Sequence, residues 1–332
     1  MATRTPAILV TGGAGFIGSN IVAHFAPTAD VVVCDWLKAD ERWRNLAKHD
    51  IADLVVPEQL EDFLAIRGDE FDAVVHMGAI SATTERNVDA IVENNFELSR
   101  DLWRWCAEYG CRFIYASSAA TYGGGEAGFQ DDQSPEALAR LRPLNAYGWS
   151  KQLFDRHVLR SLRNDGPHPP QWAGLKFFNV YGPNEYHKGE MASVISKIFP
   201  RVQQGEPVKL FRSHNPDYED GGQLRDFIYV SDCVRAVDWL LQNEQVSGLF
   251  NLGTGKARSF ADLARAVFSA LDREPNIEYI DTPVEIRDRY QYFTQAEMAK
   301  LRDAGYRQEF TELEDGVADY VRNYLATDDP YR

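Results

Sequence analysis

Basic charge is in short supply in this sequence: 35 Lys and Arg stand against 50 Asp and Glu, a formal net charge of −15. A surface that negative gains no counterion-release drive toward a nucleic-acid backbone, and an anionic membrane repels it. Cysteine is scarce as well. Cys34, Cys106, Cys111 and Cys233 form no CxxC pair and no zinc spacing, which excludes a disulfide framework or zinc module as the organising device. In a chain of 332 residues they read as reduced, buried thiols. Long apolar runs are missing too. None approaches the ~18 residues that would span a bilayer, and no signal-like core precedes the first strand, so the expected location is cytoplasmic. The seven histidines are scattered without a ligand spacing, and no metal is expected. There is no internal repeat and no low-complexity segment.

What is present is an alternation of short apolar runs with longer amphipathic stretches. Ala7–Val10, Val31–Cys34, Ala73–His76, Phe113–Ala116 and a run near Leu175–Phe178 read as strands. Gly18–Phe25, Val88–Tyr109 and Tyr147–Arg163 read as helices. Strands alternating with helices predict an α/β fold, a Rossmann-type doubly wound parallel sheet covered on both faces. The regularity fades after about residue 180. Clusters of Pro, Gly and polar residues at 181–190 and 212–223 read as loops. Phe227–Val230 reads as one more strand returning to the first sheet, and a helix closes the pattern at about Glu312–Tyr324. The expected division is a dinucleotide-binding domain over 1–177, rejoined by 226–252. A smaller, mostly C-terminal α/β substrate lobe covers 178–225 and 253–332.

Thr11-Gly12-Gly13-Ala14-Gly15-Phe16-Ile17-Gly18 joins the first strand to the first helix. A turn that must approach a pyrophosphate has no room for side chains. Gly12 permits the tight turn, Gly15 lets the backbone near the phosphates, and Gly18 lets helix pack on strand. The helix N-terminus then offers free N–H groups and a positive dipole end. The second strand ends at Asp35, whose carboxylate suits the ribose hydroxyls of NAD. Lys38, Arg42 and Arg44 follow closely, and a cation there suits the 2′-phosphate of NADP. Arg44 reads as a solvated surface charge, and the choice between the two cofactors stays open on these residues.

Tyr147-Gly148-Trp149-Ser150-Lys151 places a phenol and an ammonium on one helix face, a turn apart. Tyrosine is a poor base at its free pKa of about 10. A nearby ammonium and a cationic nicotinamide favour the phenolate, so Tyr147 can exchange a proton with a substrate hydroxyl while Lys151 binds the nicotinamide ribose. Ser118, at the end of the Phe113 strand, can hydrogen-bond the same substrate oxygen.

With these elements in place the chain resembles the extended short-chain dehydrogenase/reductases that act on nucleotide sugars, the NAD-dependent epimerase/dehydratase family. TGGAGFIG, the Ser117-Ser118 strand end, YGWSK, Phe178-Asn179-Val180-Tyr181-Gly182-Pro183 and Arg225–Asp232 carry the resemblance, which covers essentially the whole chain. The family's 4,6-dehydratases carry an Asp-Glu pair after the catalytic hydroxyl residue. Here the sequence runs Ser118-Ala119-Ala120, and no carboxylate is placed to expel water. An epimerase or a simple reductase remains. A dinucleotide-binding regulator would lack the Tyr or the Lys, and this chain keeps both.

The finer resemblance is to the epimerases of ADP-linked glycero-manno-heptose. It rests on Ser117–Gly124, on His187-Lys188-Gly189, on Met191–Val194 and on Arg289–Gln295. It implies inversion of C6″ of ADP-D-glycero-β-D-manno-heptose to the L-glycero form through a transient 6″-ketone with bound NADP, NAD being possible. It also implies a cytoplasmic step of lipopolysaccharide core biosynthesis and a homo-oligomer, typically a pentamer. The alternative is a related nucleotide-sugar 4-epimerase or reductase on the same Tyr–Lys frame. Inversion without net redox needs proton transfer on both faces, and the resemblance assigns Tyr147 to one and Lys188 to the other.

It further implies cofactor contacts from Gly12, Gly15, Phe16, Ile17, Gly18, Asp35, Trp36, Lys38 and Arg42. Met77, Gly78, Ala79, Ile80, Ser81, Asn94, Lys151, Val180 and Lys188 complete that set. Substrate contacts are implied from Ser118, Asn179, Phe211, Arg225 and Tyr290. Glu190, Lys197 and Arg212-Ser213-His214 stand at further substrate positions, where they depart from the family pattern. The loop before Arg225 is also longer, with Asp217, Glu219 and Asp220 added. No metal, nucleic acid or membrane is expected as a partner.

Overall fold

The computed structural model describes residues 4–287 and 291–332. Its centre is a sheet of seven parallel strands: β1 (Ala7–Thr11), β2 (Asp30–Cys34), β3 (Asp53–Val55), β4 (Ala73–His76), β5 (Arg112–Ser118), β6 (Trp172–Phe177) and a last strand at Gly248–Leu252. In space β3, β2, β1, β4, β5 and β6 lie side by side in that order, with Gly248–Leu252 beyond β6. The order reverses between β1 and β4, which opens a crevice at the carboxyl ends of those strands, where doubly wound sheets place their ligands.

All five residues of β1 are buried. Strands covered on both faces need apolar residues at every position, which is why AILVT, DVVVC and AVVH carry little polar alternation. The strand period of two still divides them. Ile8, Val10, Val31 and Val33 face one core with Val234, Val237 and Leu240. Leu9, Val32 and Val74 face the other with Trp103, Phe113, Phe154 and Val158. All four cysteines are buried.

Gly248–Leu252 is β10 in chain order; the smaller lobe carries β7 (Asn179–Tyr181), β8 (Val208–Phe211), β9 (Leu224–Tyr229), β11 (Ala257–Ser259) and β12 (Ile277–Ile280). β9 sits between β11 and β7, and β12 pairs with β8. Helices Val194–Gln203, Phe260–Ala270 and Leu313–Tyr320 close a third core around Phe199, Val208, Phe227, Tyr229 and Val267.

The expectation that Phe227–Val230 returns to the first sheet is corrected here. Phe227–Tyr229 pair with Asn179–Tyr181 in the small sheet, Val230 opens the helix Val230–Gln242, and the strand that returns is Gly248–Leu252, with Phe250 opposite Leu175. Ile228 packs on the core of the large sheet while Phe227 and Tyr229 pack on that of the small lobe. A short apolar run buried on both faces reads the same in either sheet. The strand near 175–178 likewise begins earlier, at Trp172, and ends at Phe177.

The Val88–Tyr109 stretch holds an α-turn at Val88–Val92, a π-turn at Glu93–Glu97 and an α-helix at Leu98–Tyr109. Single π-turns inside helices are frequent at functional sites. This one carries Asn95, which bonds Ile80 in the loop after β4, and Asn94, which donates to the Ala90 carbonyl.

Candidate active site

The glycine turn shapes the floor of a cavity of about 660 Å³. Gly12 has φ of 66°, and a Cβ there would stand 2.6 Å from the Gly78 nitrogen. A Cβ on Gly18 would stand 2.1 Å from the Gly12 carbonyl oxygen. Larger residues at either position are therefore incompatible with this turn. No side chain caps the helix Phe16–Phe25 that follows. Its first amides thus lack a side-chain acceptor, and Gly15, Phe16, Ile17 and Gly18 line the cavity.

Asp35, Trp36, Met77, Gly78, Ala79, Ser81, Asn94 and Val180 line the same cavity. Asp35 is held in place because one carboxylate oxygen accepts from the Ala14 N–H at 2.9 Å, and burial pushes its pKa up. The N–H and the C=O of Ile80 both bond to the Asn95 side chain, at 2.8 and 3.0 Å. Ile80 therefore acts on the cavity through its backbone fold rather than from its wall. Lys38 and Arg42 also lie outside the wall. Asp40 grips Arg42 through Nε at 2.9 Å and Nη2 at 2.8 Å.

His76 ties this region together. Its Nδ1 lies 2.6 Å from Thr11 Oγ1 and its Nε2 2.8 Å from Ser99 Oγ. Thr11 Oγ1 accepts from Gly78 N–H, and Ser99 donates to the Asn95 carbonyl. Asn95 in turn donates to Ser150 Oγ, which donates to the Tyr147 carbonyl. A buried chain of hydrogen bonds thus runs from the glycine turn to the catalytic helix. Full burial drops the His76 pKa to about 3, so the ring is neutral.

That helix spans Ala146–Arg163 and starts where Asn145 accepts from Gly148 N–H at 2.8 Å. It brings Tyr147 and Lys151 to the cavity beside Ser118, from the end of β5. Burial raises the Tyr147 pKa, opposed by a hydrogen bond with the Ser118 hydroxyl. Lys151 is 3% exposed, and burial brings its pKa down to about 8, with the Asp155 charge opposing. Among the described residues no hydrogen bond or ion pair engages its ammonium, and Lys151 lines the cavity.

Beneath it the Asp155 carboxylate receives Tyr115 Oη at 3.1 Å, Ser117 Oγ at 2.8 Å and Lys176 Nζ at 2.6 Å. Lys176 also donates to Thr121 Oγ1. These bonds fasten the helix to β5, β6 and the Ala119–Tyr122 turn.

Lys188 lies on the segment Tyr186–Met191 and also lines the cavity, its Nζ 5.0 Å above the Phe16 ring. Burial lowers its pKa, and the charge of buried Glu185 opposes this. Glu185 is fixed in turn by the Ser193 N–H and hydroxyl, both at 2.6 Å.

The implied substrate residues divide. Ser118 and Asn179 line the cavity. Among the described residues Glu190, Lys197, Phe211, Arg212, Ser213, His214 and Arg225 stand outside its wall. Lys197 pairs with Glu190 on the surface at 3.3 Å. Arg212 faces Asp220 and Asp281, Ser213 N–H bonds Asp220, and His214 N–H bonds Tyr292 Oη. Arg225 is 9% exposed and bonds the Leu224 and Gln291 carbonyls, while Asp226 turns away to Thr254, Gly255 and Ala296. Tyr290 lies outside the described residues. The wall also includes His187, Met191 and Gln291, which sequence reasoning did not assign to it. His187 and Met191 flank Lys188 in the chain, and that adjacency was the available signal.

A crevice at the strand-order reversal, a side-chain-free turn and a Tyr–Lys–Ser set at its edge define a dinucleotide-dependent oxidoreductive site. The chain belongs to the NAD dependent epimerase/dehydratase family, whose model matches residues 8–253. Its relatives point to one member of that family. An ADP-L-glycero-D-manno-heptose-6-epimerase of Nitratidesulfovibrio vulgaris is 56% identical over 97% of this chain and 99% of the relative. The protein of that name from Fusobacterium nucleatum is 46% identical over 98% and 99%. The crystal structure of the Helicobacter pylori ADP-L-glycero-D-manno-heptose-6-epimerase superimposes with a TM-score of 0.76 at 30% identity, over 96% of both chains.

Proposed function

We propose that this enzyme inverts C6″ of ADP-D-glycero-β-D-manno-heptose to the L-glycero form through a transient 6″-ketone. The observation that carries the reading is that two proton-exchanging side chains, Tyr147 and Lys188, reach one cavity from separate elements of the fold. Relatives at 46% and 56% identity bearing that epimerase name support the substrate.

Held in the cavity lined by Gly12, Gly15, Asp35 and Lys151, a nicotinamide dinucleotide would supply the hydride acceptor for C6″ and the hydride donor for the opposite face of the ketone. The protein's residues manage the protons. Tyr147, hydrogen-bonded to Ser118, exchanges the hydroxyl proton on one face, and the Lys151 cation favours its phenolate. Lys188 exchanges it on the other. The absence of a carboxylate after Ser118 keeps the ketone from eliminating water.

NADP is the cofactor we propose, on the cations Lys38 and Arg42 that follow β2. NAD is the second reading, favoured by the Asp40 carboxylate that already occupies the Arg42 fork. The proposal includes a cytoplasmic homo-oligomer, pentameric by family resemblance, whose size light scattering reads.

The test is to incubate the purified protein with the D-glycero sugar, without added cofactor, and follow C6″ by NMR. A mixture of the two epimers without accumulation of reduced cofactor supports the reading. An unchanged sugar, even with NADP⁺ and NAD⁺ supplied, overturns it.

A further inference from the structure

Lys188 is held by little of its own. Among the described residues its ammonium has no ion pair or hydrogen bond, and its segment is a short turn in which Gly189 takes a φ of 52°. Beyond the face of the Phe16 ring, its placement comes from the flanks of that turn.

On the far side the Glu185–Ser193 bonds supply one anchor. The other comes from a distant part of the chain, Asp329–Arg332. Pro330 carbonyl accepts from Tyr186 Oη at 2.7 Å, and the Tyr331 ring meets the Tyr186 ring edge-on at 5.2 Å. Arg332 N–H donates to Asn184 Oδ1 at 2.9 Å, and its guanidinium donates to Asn20 Oδ1 at 3.0 Å. Asn20 belongs to the helix that follows the glycine turn and also donates to the Pro183 carbonyl at 3.0 Å.

The segment is itself pinned from below. Lys48 donates to the Tyr331 carbonyl and pairs with Asp329 at 2.9 Å, and Arg44 lies 4.7 Å over the Tyr331 ring. Tyr331 is 9% exposed. Arg44, which as a sequence reads as a solvated charge, thus packs on the face of the ring that braces Tyr186.

We propose that Tyr331 and Arg332 are positioning residues for Lys188. They clamp Asn184 and Tyr186 against the cofactor helix and so fix where the Lys188 ammonium stands over the cavity. Asn184 has a φ of 73° and is fully buried, and its Nδ2 donates to Ser19 Oγ, so the clamp closes on backbone that cannot yield locally. Misplacing a reacting group by about 1 Å costs on the order of a hundredfold in rate.

The inference rests on Lys188 serving one face of the ketone. Its test therefore measures the two faces apart. Each epimer is mixed with the oxidised holoenzyme in a single turnover, and reduced nicotinamide is followed by its near-ultraviolet absorbance. Lys188→Met sets the reference, slowing oxidation of one epimer and sparing the other. Tyr331→Ala is expected to slow that same direction by about ten- to a hundredfold and leave the other at the wild-type rate. Tyr331→Phe, which keeps the ring, is expected to restore it. Arg332→Met keeps the backbone bonds and gives the same asymmetry at smaller size, should Tyr331→Ala fold poorly. Equal losses in both directions, or none, in Tyr331→Ala and Arg332→Met overturn the positioning role while the Lys188 assignment stands. A Lys188→Met enzyme without asymmetry overturns that assignment and the positioning role together.

Discussion

Lys176 donates a 2.6 Å hydrogen bond to Asp155 where neither side chain is more than 1% exposed. Asp155 lies one turn along the helix Ala146–Arg163 from Lys151, whose charge it helps to keep, and Lys176 reaches it from β6. Removing one partner of a buried pair strands the other charge, at a cost of about 3–5 kcal/mol. Asp155→Asn should lower unfolding stability by that order in urea titrations, and Asp155→Leu with Lys176→Met should recover much of it. A loss in the single variant no larger than that of a surface substitution contradicts the account.

The same carboxylate sets a pH limit. Burial brings the Lys151 pKa down to about 8, and the proposed mechanism needs its cation beside Tyr147. Activity should fall as pH rises through that value. Asp155→Asn removes the opposing charge, so the fall should move to lower pH. A rate profile that keeps its alkaline limb in the variant contradicts the link.

Tyr147→Phe keeps the ring packing and deletes the proposed proton carrier. General acid–base groups contribute about 10²–10⁴-fold, and the epimerisation rate should drop by that much with bound cofactor unchanged. Cofactor content, read from the protein's absorbance, separates lost chemistry from lost binding.

Gly18→Ala tests the turn. The added carbon would lie 2.1 Å from a carbonyl oxygen of Gly12, and backbone cannot shift as a side chain end can. Overpacking of this kind costs about 1–3 kcal/mol. The variant should lose retained dinucleotide on gel filtration, and normal retention would count against a tight cradle.

His76 makes a prediction about acid. Its folded pKa of about 3 lies below the ordinary 6.5, so the unfolded chain takes up a proton that the folded one refuses. The neutral ring's contribution is complete above pH 6.5 and is lost as pH falls toward 3. His76→Gln should be less stable at neutral pH yet show a flatter decline between those limits. Parallel declines would show that His76 is not the group responsible.

Much of the site was legible because its signals are local. A strand, a glycine turn and a helix follow one another within Ala7–Phe25, and Tyr147 and Lys151 are one helical turn apart. The buried chemistry was not legible. Thr11 meets His76 across 65 residues, Lys176 meets Asp155 across 21, and Arg332 meets Asn20 across 312. No spacing rule connects such positions; the sheet order and lobe packing create them. Charged residues that read as substrate contacts, among them Glu190, Lys197 and Arg212, find one another or nearby carboxylates on the surface. The run Phe227–Val230 reads as a strand of the large sheet, yet Phe227–Tyr229 join the small one, because a run buried on both faces carries no mark of which sheet it enters.

The most direct test of the central claim is to follow an isotope at the reacting carbon. ADP-D-glycero-β-D-manno-heptose carrying deuterium at C6″ is incubated in ordinary water, and product is analysed by NMR and mass spectrometry. Epimerisation through a transient ketone, with the hydride returned within the same active site, predicts L-glycero product that keeps its deuterium at C6″. Product in which solvent hydrogen has replaced the deuterium would contradict it and place the inversion at a carbon acid instead.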